Sequence, residues 1–210
     1  MSNQVYEEIR RVIMGGVLQP GSNVSIRALA DQLGTSMMPV RDALKRLISE
    51  RILEMDGPRR LRLRTLSQSE FKEILALREN LEASLVGRAA SIVSQADIDR
   101  LAAIQDRIEQ SIKNSENFLD LNYEFHFTLY GFANRPVTVI LVEALWLQVG
   151  PFLNYYRLRN GGPIAVNHHR SLIEALRGRN SRDAKAAILA DIRDAAKVIF
   201  DEVSTWRETK

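Results

Sequence analysis

The 210-residue chain contains no cysteine. Disulfides, thiolate metal sites and cysteine nucleophiles are therefore excluded. A secretory leader is not expected either, because MSNQVYEEIRRVI mixes acids with arginines and holds no apolar core. Long apolar runs are scarce. The longest, VTVILVEALWLQV, is interrupted by Glu143 and reads as too short to span a bilayer, so a cytoplasmic protein is expected. Composition is that of a soluble protein, and the length suits one or two compact units.

Charge is small in total and uneven in distribution. The net is +3, yet residues 1–66 carry 11 Lys/Arg against 7 Asp/Glu while the rest carries 18 against 19. The positive excess thus sits at the N-terminal end, where the sequence also has a cadence suited to phosphate contact. Residues 25–47, SIRALADQLGTSMMPVRDALKRL, read as two short helices broken at Gly34. Ser25 and Ser36 stand as N-caps, and Pro39 falls in the first turn of the second helix. That helix is expected to bury Val40, Leu44, Leu47 and Ile48 while presenting Met37, Met38, Arg41, Asp42 and Lys45. An amphipathic helix over 3–14 (Val5, Ile9, Val12 and Ile13 inward) precedes the pair. ILEM and LRLR around Asp56-Gly57 predict a two-stranded wing with Arg59 and Arg60 at its tip. Residues 1–66 are read as a winged helix–turn–helix that binds double-stranded DNA.

From residue 67 to 210 the pattern is helical throughout. Six helices are expected, at about 68–92, 96–114, 116–131, 136–157, 164–178 and 181–206, with a kink or split at Gly150-Pro151. The fold class is mainly α: a winged head followed by an all-α six-helix bundle.

Within that bundle, polar residues interrupt apolar stripes. Arg78 lies among Phe71, Ile74, Leu75, Leu81 and Leu85. His169 precedes Leu172, Ile173 and Leu176, and Asp191 sits among Ala184, Ile188, Ala195 and Val198. Asn122 and His126, four apart, share one helix face. An unpartnered buried polar group costs about 1–3 kcal/mol, so these residues are expected to meet one another or a shared cavity. Two imidazoles, a carboxylate and a carboxamide form an N/O set able to hold a divalent ion. Ordinary buried hydrogen bonding is the other reading.

The whole chain resembles the GntR-type bacterial transcription regulators, in the FadR-like group with an all-helical, ligand-binding FCD domain. The resemblance rests on LQPG followed by ALADQLGTSMMPVRDALKRL, then LRENLEASLVGRAA, NYEFHFTLYGFAN and HHRSLIEAL. Six bundle helices look more like the VanR-type branch than the longer FadR branch. The resemblance implies DNA contacts at Arg27, Ser36, Met37, Arg41, Gly57, Arg59 and Arg60. The family usually has arginine where Met37 stands, and methionine makes no bidentate guanine contact. It usually has glycine where Arg51 stands.

The resemblance also implies a metal site at Asn122, His126, His169 and Asp191, for Zn, Ni or Mn. One family aspartate is here Asn122 and one family histidine is Asp191. Arg78 would border the effector cavity, either receiving the carboxylate of a small organic acid or pairing internally with Glu82. Asn134 would end a helix, His168 would face the rim, and Trp146, Phe152, Tyr155 and Tyr156 would serve packing. The expected protein is a homodimeric, effector-responsive repressor on a pseudo-palindromic operator. A metal-free sensor of an acyl or aromatic ligand is the alternative, and a metal-dependent hydrolase a more distant one.

Overall fold

The computed structural model of the chain describes residues 2–16, 18–57, 60–114, 118–160 and 163–206. Arg59 and the side chains of Tyr155 and Tyr156 lie outside the described residues.

The head consists of α1 (Ser2–Met14), α2 (Ile26–Gln32), α3 (Met37–Ser49), β1 (Leu53–Asp56) and β2 (Arg60–Leu63). α1 buries Val5, Tyr6, Ile9 and Ile13 at helical spacing. Ser25 Oγ accepts from the Ala28 N–H at 3.2 Å and so caps α2. Ser36 occupies the same place before α3, but its side chain accepts no capping hydrogen bond. Pro39 explains the difference, since it stands third in α3 and has no N–H to donate. α3 buries Val40, Ala43, Leu44 and Leu47, with Ile48 only half-buried.

In the wing, Leu53 pairs with Leu63 and Asp56 with Arg60. Period-two alternation turns Leu53, Leu61 and Leu63 into the head's core. The other edge of β2 is covered by the segment at 21–24, through Val24 N–H to Leu61 O at 2.7 Å and Leu63 N–H to Ser22 O at 2.9 Å.

Arg51, which enters the wing where the family has glycine, adopts φ 59°. An L-residue there costs roughly 1–2 kcal/mol that glycine avoids. Arg51→Gly is therefore expected to stabilise the fold by about 1 kcal/mol, after the glycine's extra unfolded-state freedom is subtracted. Urea unfolding would read it, and an unchanged or lower midpoint would show that the arginine side chain compensates.

The bundle comprises α4 (Gln68–Ile92), α5 (Gln95–Asn114), α6 (Phe118–Gly131), α7 (Pro136–Asn160), α8 (Pro163–Arg177) and α9 (Ser181–Trp206). α4 begins in a capping box: Ser67 Oγ accepts from the Glu70 N–H, and the Glu70 carboxylate accepts from the Ser67 N–H. Asn134, at φ 53°, ends the turn between α6 and α7 as expected.

Of the kink or split expected at Gly150-Pro151, the split does not occur: α7 carries Pro151 inside one helix. Packing on both sides overrides the local preference: Leu147 belongs to the head's core, while Val149, Phe152 and Leu153 belong to the bundle's. α7 also corrects the reading of its apolar stretch. The window Pro136–Leu153 has a mean hydropathy of 1.6 and is long and apolar enough, by length and composition, to cross a membrane. In the fold its inner residues Val142, Trp146, Leu147 and Val149 are buried in protein.

Candidate DNA face and metal centre

Arg27 on α2 and Ser36, Met37 and Arg41 around α3 are all exposed, and so are Gly57 and Arg60 of the wing. Met37 and Met38 are 52% and 61% exposed, unusual for methionine on a surface that is otherwise polar. Gly57 turns the wing at φ 76°, and the Arg60 guanidinium is 3.8 Å from Asp56. Arg41 does not enter the core. The helix face that sequence periodicity left outward is thus free of the head's own packing.

In the bundle, three of the four expected ligand residues converge. His126 from α6 and His169 from α8 bring their Nε2 atoms to 3.3 Å from each other. Asp191 of α9 lies 3.4 Å from His126 Nε2 and 3.9 Å from His169 Nε2. Asn122, one turn before His126, is buried and lines a small chamber together with His126 and Asp191. The chamber has about 20 Å³ of free space, room for an ion or about one water.

Hydrogen bonds set both imidazole tautomers. The Gln105 amide nitrogen donates to Glu109 at 3.1 Å, so its oxygen faces His169 Nδ1, which must donate across 2.7 Å. The Tyr130 hydroxyl donates to Glu82, so its oxygen accepts from His126 Nδ1 at 3.1 Å. The two Nε2 atoms are left facing one another beside a carboxylate, an arrangement that calls for a positive charge, either a metal ion or a proton on His126 Nε2.

Burial pushes the His169 imidazole down to about 3, against a smaller opposing pull from Asp191, so His169 is neutral at physiological pH. Burial alone would raise Asp191, but its hydrogen bond to His126 and the neighbouring imidazoles outweigh that and hold the carboxyl below its ordinary value. Neutral imidazole and ionised carboxylate are the forms that ligate metals. The spacing fits as well. Two donors at 2.0–2.1 Å from a tetrahedral ion stand about 3.4 Å apart.

Arg78 is engaged internally. Its Nε donates to Glu82 Oε1 at 2.7 Å, both side chains are buried, and its guanidinium lies 4.7 Å from the Trp146 ring centroid. Of the two readings the sequence allowed, the pair with Glu82 is the one observed. Glu82 also accepts from Trp146 Nε1 at 3.0 Å, so Arg78, Tyr130 and Trp146 meet on one carboxylate. His168 is half-buried and pairs with Asp194 at 2.8 Å.

Sequence reasoning missed Gln105, Tyr130 and the wider role of Glu82. Gln105 carried a usable signal, as a polar residue among Leu101, Ile104 and Ile108, all buried. Tyr130 did not stand out, because a tyrosine in an apolar stripe is ordinary.

Residues 73–194 match the FCD domain family, and residues 1–60 match the bacterial regulatory proteins of the gntR family. The chain is 24% identical over 204 residues to the HTH-type transcriptional regulator McbR of Escherichia coli (strain K12), covering 95% of this chain and 92% of that one. It is 23% identical to the HTH-type transcriptional repressor RspR of the same organism, over 98% of this chain and 93% of the relative. Among solved structures, E. coli McbR/YncC superposes with a TM-score of 0.88 at 22% identity, over 96% and 97% of the two chains. A GntR regulator from Rhodococcus sp. RHA1 gives a TM-score of 0.78 at 19% identity, over 95% and 97%. These structural likenesses speak to fold. A winged DNA-reading head and an FCD domain that spans more than half of the sequence assign the chain to the gntR family of bacterial regulatory proteins, as a transcription regulator and not an enzyme.

Proposed function

We propose that this protein is a homodimeric, metal-containing repressor, in which residues 1–66 read an operator half-site and residues 67–210 sense a small organic acid. The observation that carries the sensing half is the convergence of His126, His169 and Asp191, whose possible ligand atoms all lie within 4.8 Å of one another. Zn, Ni or Mn suits that donor set, with Asn122 at hand on the chamber wall. A bound ion would supply a fixed positive charge for an effector carboxylate. The free space is too small for an organic acid as it stands, so entry requires the chamber to widen, with Arg78 as the cation nearest the incoming charge. Six bundle helices among the described residues favour the shorter, VanR-type branch. Repression is supported by the naming of relatives such as RspR and the gluconate operon transcriptional repressor of Bacillus subtilis as repressors. Work on DNA implies a cytoplasmic address.

The DNA half is tested at α3. Arg41→Ala is expected to weaken binding to the operator by about 1–3 kcal/mol if Arg41 contacts a base. Fluorescence anisotropy on the natural upstream region would measure it, and unchanged affinity would remove Arg41 from the interface.

Dimerisation has a candidate surface on α7. Val137, Ile140 and Leu141 are 72%, 64% and 51% exposed, an apolar cluster within one turn of a helix whose other face is core. A two-fold operator needs two heads, and this face offers the self-complementary contact. Ile140→Glu is expected to shift the protein to monomer in sedimentation experiments; a dimer that survives it would place the contact elsewhere.

A further inference from the structure

A second cavity lies outside the metal chamber, where the head meets the bundle. It is a half-open cleft of about 280 Å³ between α1 and the α6–α7 pair. Head and bundle are in tight contact beside it: a Cβ on Gly150 would come within 3.1 Å of the Met14 backbone. The chamber and the cleft share Leu119, Trp146 and Leu153 as a dividing wall.

The chemistry of the cleft is specific. Arg10 of α1 reaches across it, with one terminal nitrogen 3.1 Å from Glu143 of α7 and the other 3.3 Å from Glu7. Tyr123 donates to the same Glu143 at 2.7 Å. Both terminal nitrogens of the guanidinium are therefore matched by carboxylates. Its Nε is not: that atom is buried and meets no acceptor among the described residues. A buried N–H without an acceptor is costly, and a turn of the guanidinium toward the cleft would relieve it by bringing Nε to a ligand oxygen there. Around it, Met14, Leu119, Trp146 and Leu153 supply an apolar wall.

We propose that this cleft is a second ligand site, for a neutral molecule with one or two rings and a carbonyl or ether oxygen that accepts from Arg10 Nε. The volume lies just below the range of roughly 300–1,000 Å³ used by drug-sized ligands, which limits the body to a small ring system. Neutrality follows from the lining together with Arg10, whose Nε asks for an acceptor that an ammonium group is not. Three carboxylates (Glu7, Asp120 and Glu143) already face two arginines, Arg10 and Arg11, so an anionic ligand would add to an acidic excess. An occupant touches the DNA-reading head and the sensing bundle together. Its affinity then depends on how the two are disposed, and by reciprocity it alters operator affinity. The proposal needs no metal and stands apart from the chamber reading.

The test uses matched bicyclic probes with full-length protein, followed by NMR titration: 1-indanone, indane, which lacks the oxygen, and 1-aminoindane, a cation. 1-Indanone is expected to bind about tenfold more tightly than indane, the value of one such hydrogen bond. Arg10→Lys keeps the charge beside Glu7 and Glu143 but deletes Nε, and should bring the two affinities together. Met14→Trp should fill the cleft and abolish binding of both. His169→Ala should leave 1-indanone binding unchanged, which separates this site from the metal chamber. Equal affinity for indane and 1-indanone in the wild type, a preference for 1-aminoindane, or absence of saturable binding by any probe would each overturn the proposal. So would 1-indanone binding that survives Met14→Trp but is lost in His169→Ala.

Discussion

Protein purified without chelators is expected to carry about one divalent ion per chain, and His169→Ala to carry none. The argument rests on the two imidazoles. Each Nδ1 is committed as a donor, His169 to Gln105 and His126 to Tyr130, so the two Nε2 atoms face each other 3.3 Å apart. Without a positive charge between them they repel. Burial makes a proton on His169 unfavourable, so the charge is a metal ion or a proton on His126 Nε2, and metal content tells them apart. An ion supplied at a hundred times its dissociation constant should stabilise the fold by about 2.7 kcal/mol, and EDTA should remove that increment. Tyr130→Phe and Gln105→Leu leave the ligands in place but release their orientation, and should weaken the metal by about 10–100-fold. Elemental analysis with calorimetric titration measures all of this. Equal metal content in wild type and His169→Ala would end the metal reading and leave a hydrogen-bonded, metal-free pocket.

Glu82→Ala should be the most destabilising single change in the bundle, by about 3–5 kcal/mol. Glu82 is fully buried and accepts from Arg78, Tyr130 and Trp146 at once. Removing the carboxylate strands a buried guanidinium, and it also frees the tyrosine that orients His126. The cost comes chiefly from the uncompensated charge, so the double change Glu82→Leu with Arg78→Met should recover much of the stability. Urea unfolding of the single and double variants makes the comparison. A loss below about 1 kcal/mol for Glu82→Ala would mean that Arg78 does not depend on its partner. The guanidinium would then be the freer group that an effector carboxylate could claim.

Much of this protein could be read before any coordinates. The breaks at Gly34 and Asp56-Gly57, the exposed face of α3 and the six bundle helices are local matters of period, capping and turn chemistry. Local rules failed where a second interaction intervened. Ser36 lost its cap bond to a proline three residues on, and α7 ran through Gly150-Pro151 because two cores grip it.

The sequence by itself determined the elements, the exposed face of α3 and the fact that Arg78, Asn122, His126, His169 and Asp191 would be polar groups in apolar stripes. Only the tertiary structure decided which of them meet. Helical periodicity says that a side chain faces inward but not at what height or against which neighbour. Packing four helices together put His126, His169 and Asp191 on one point, closed Arg78 onto Glu82, and set Arg10 across the junction with one N–H left over.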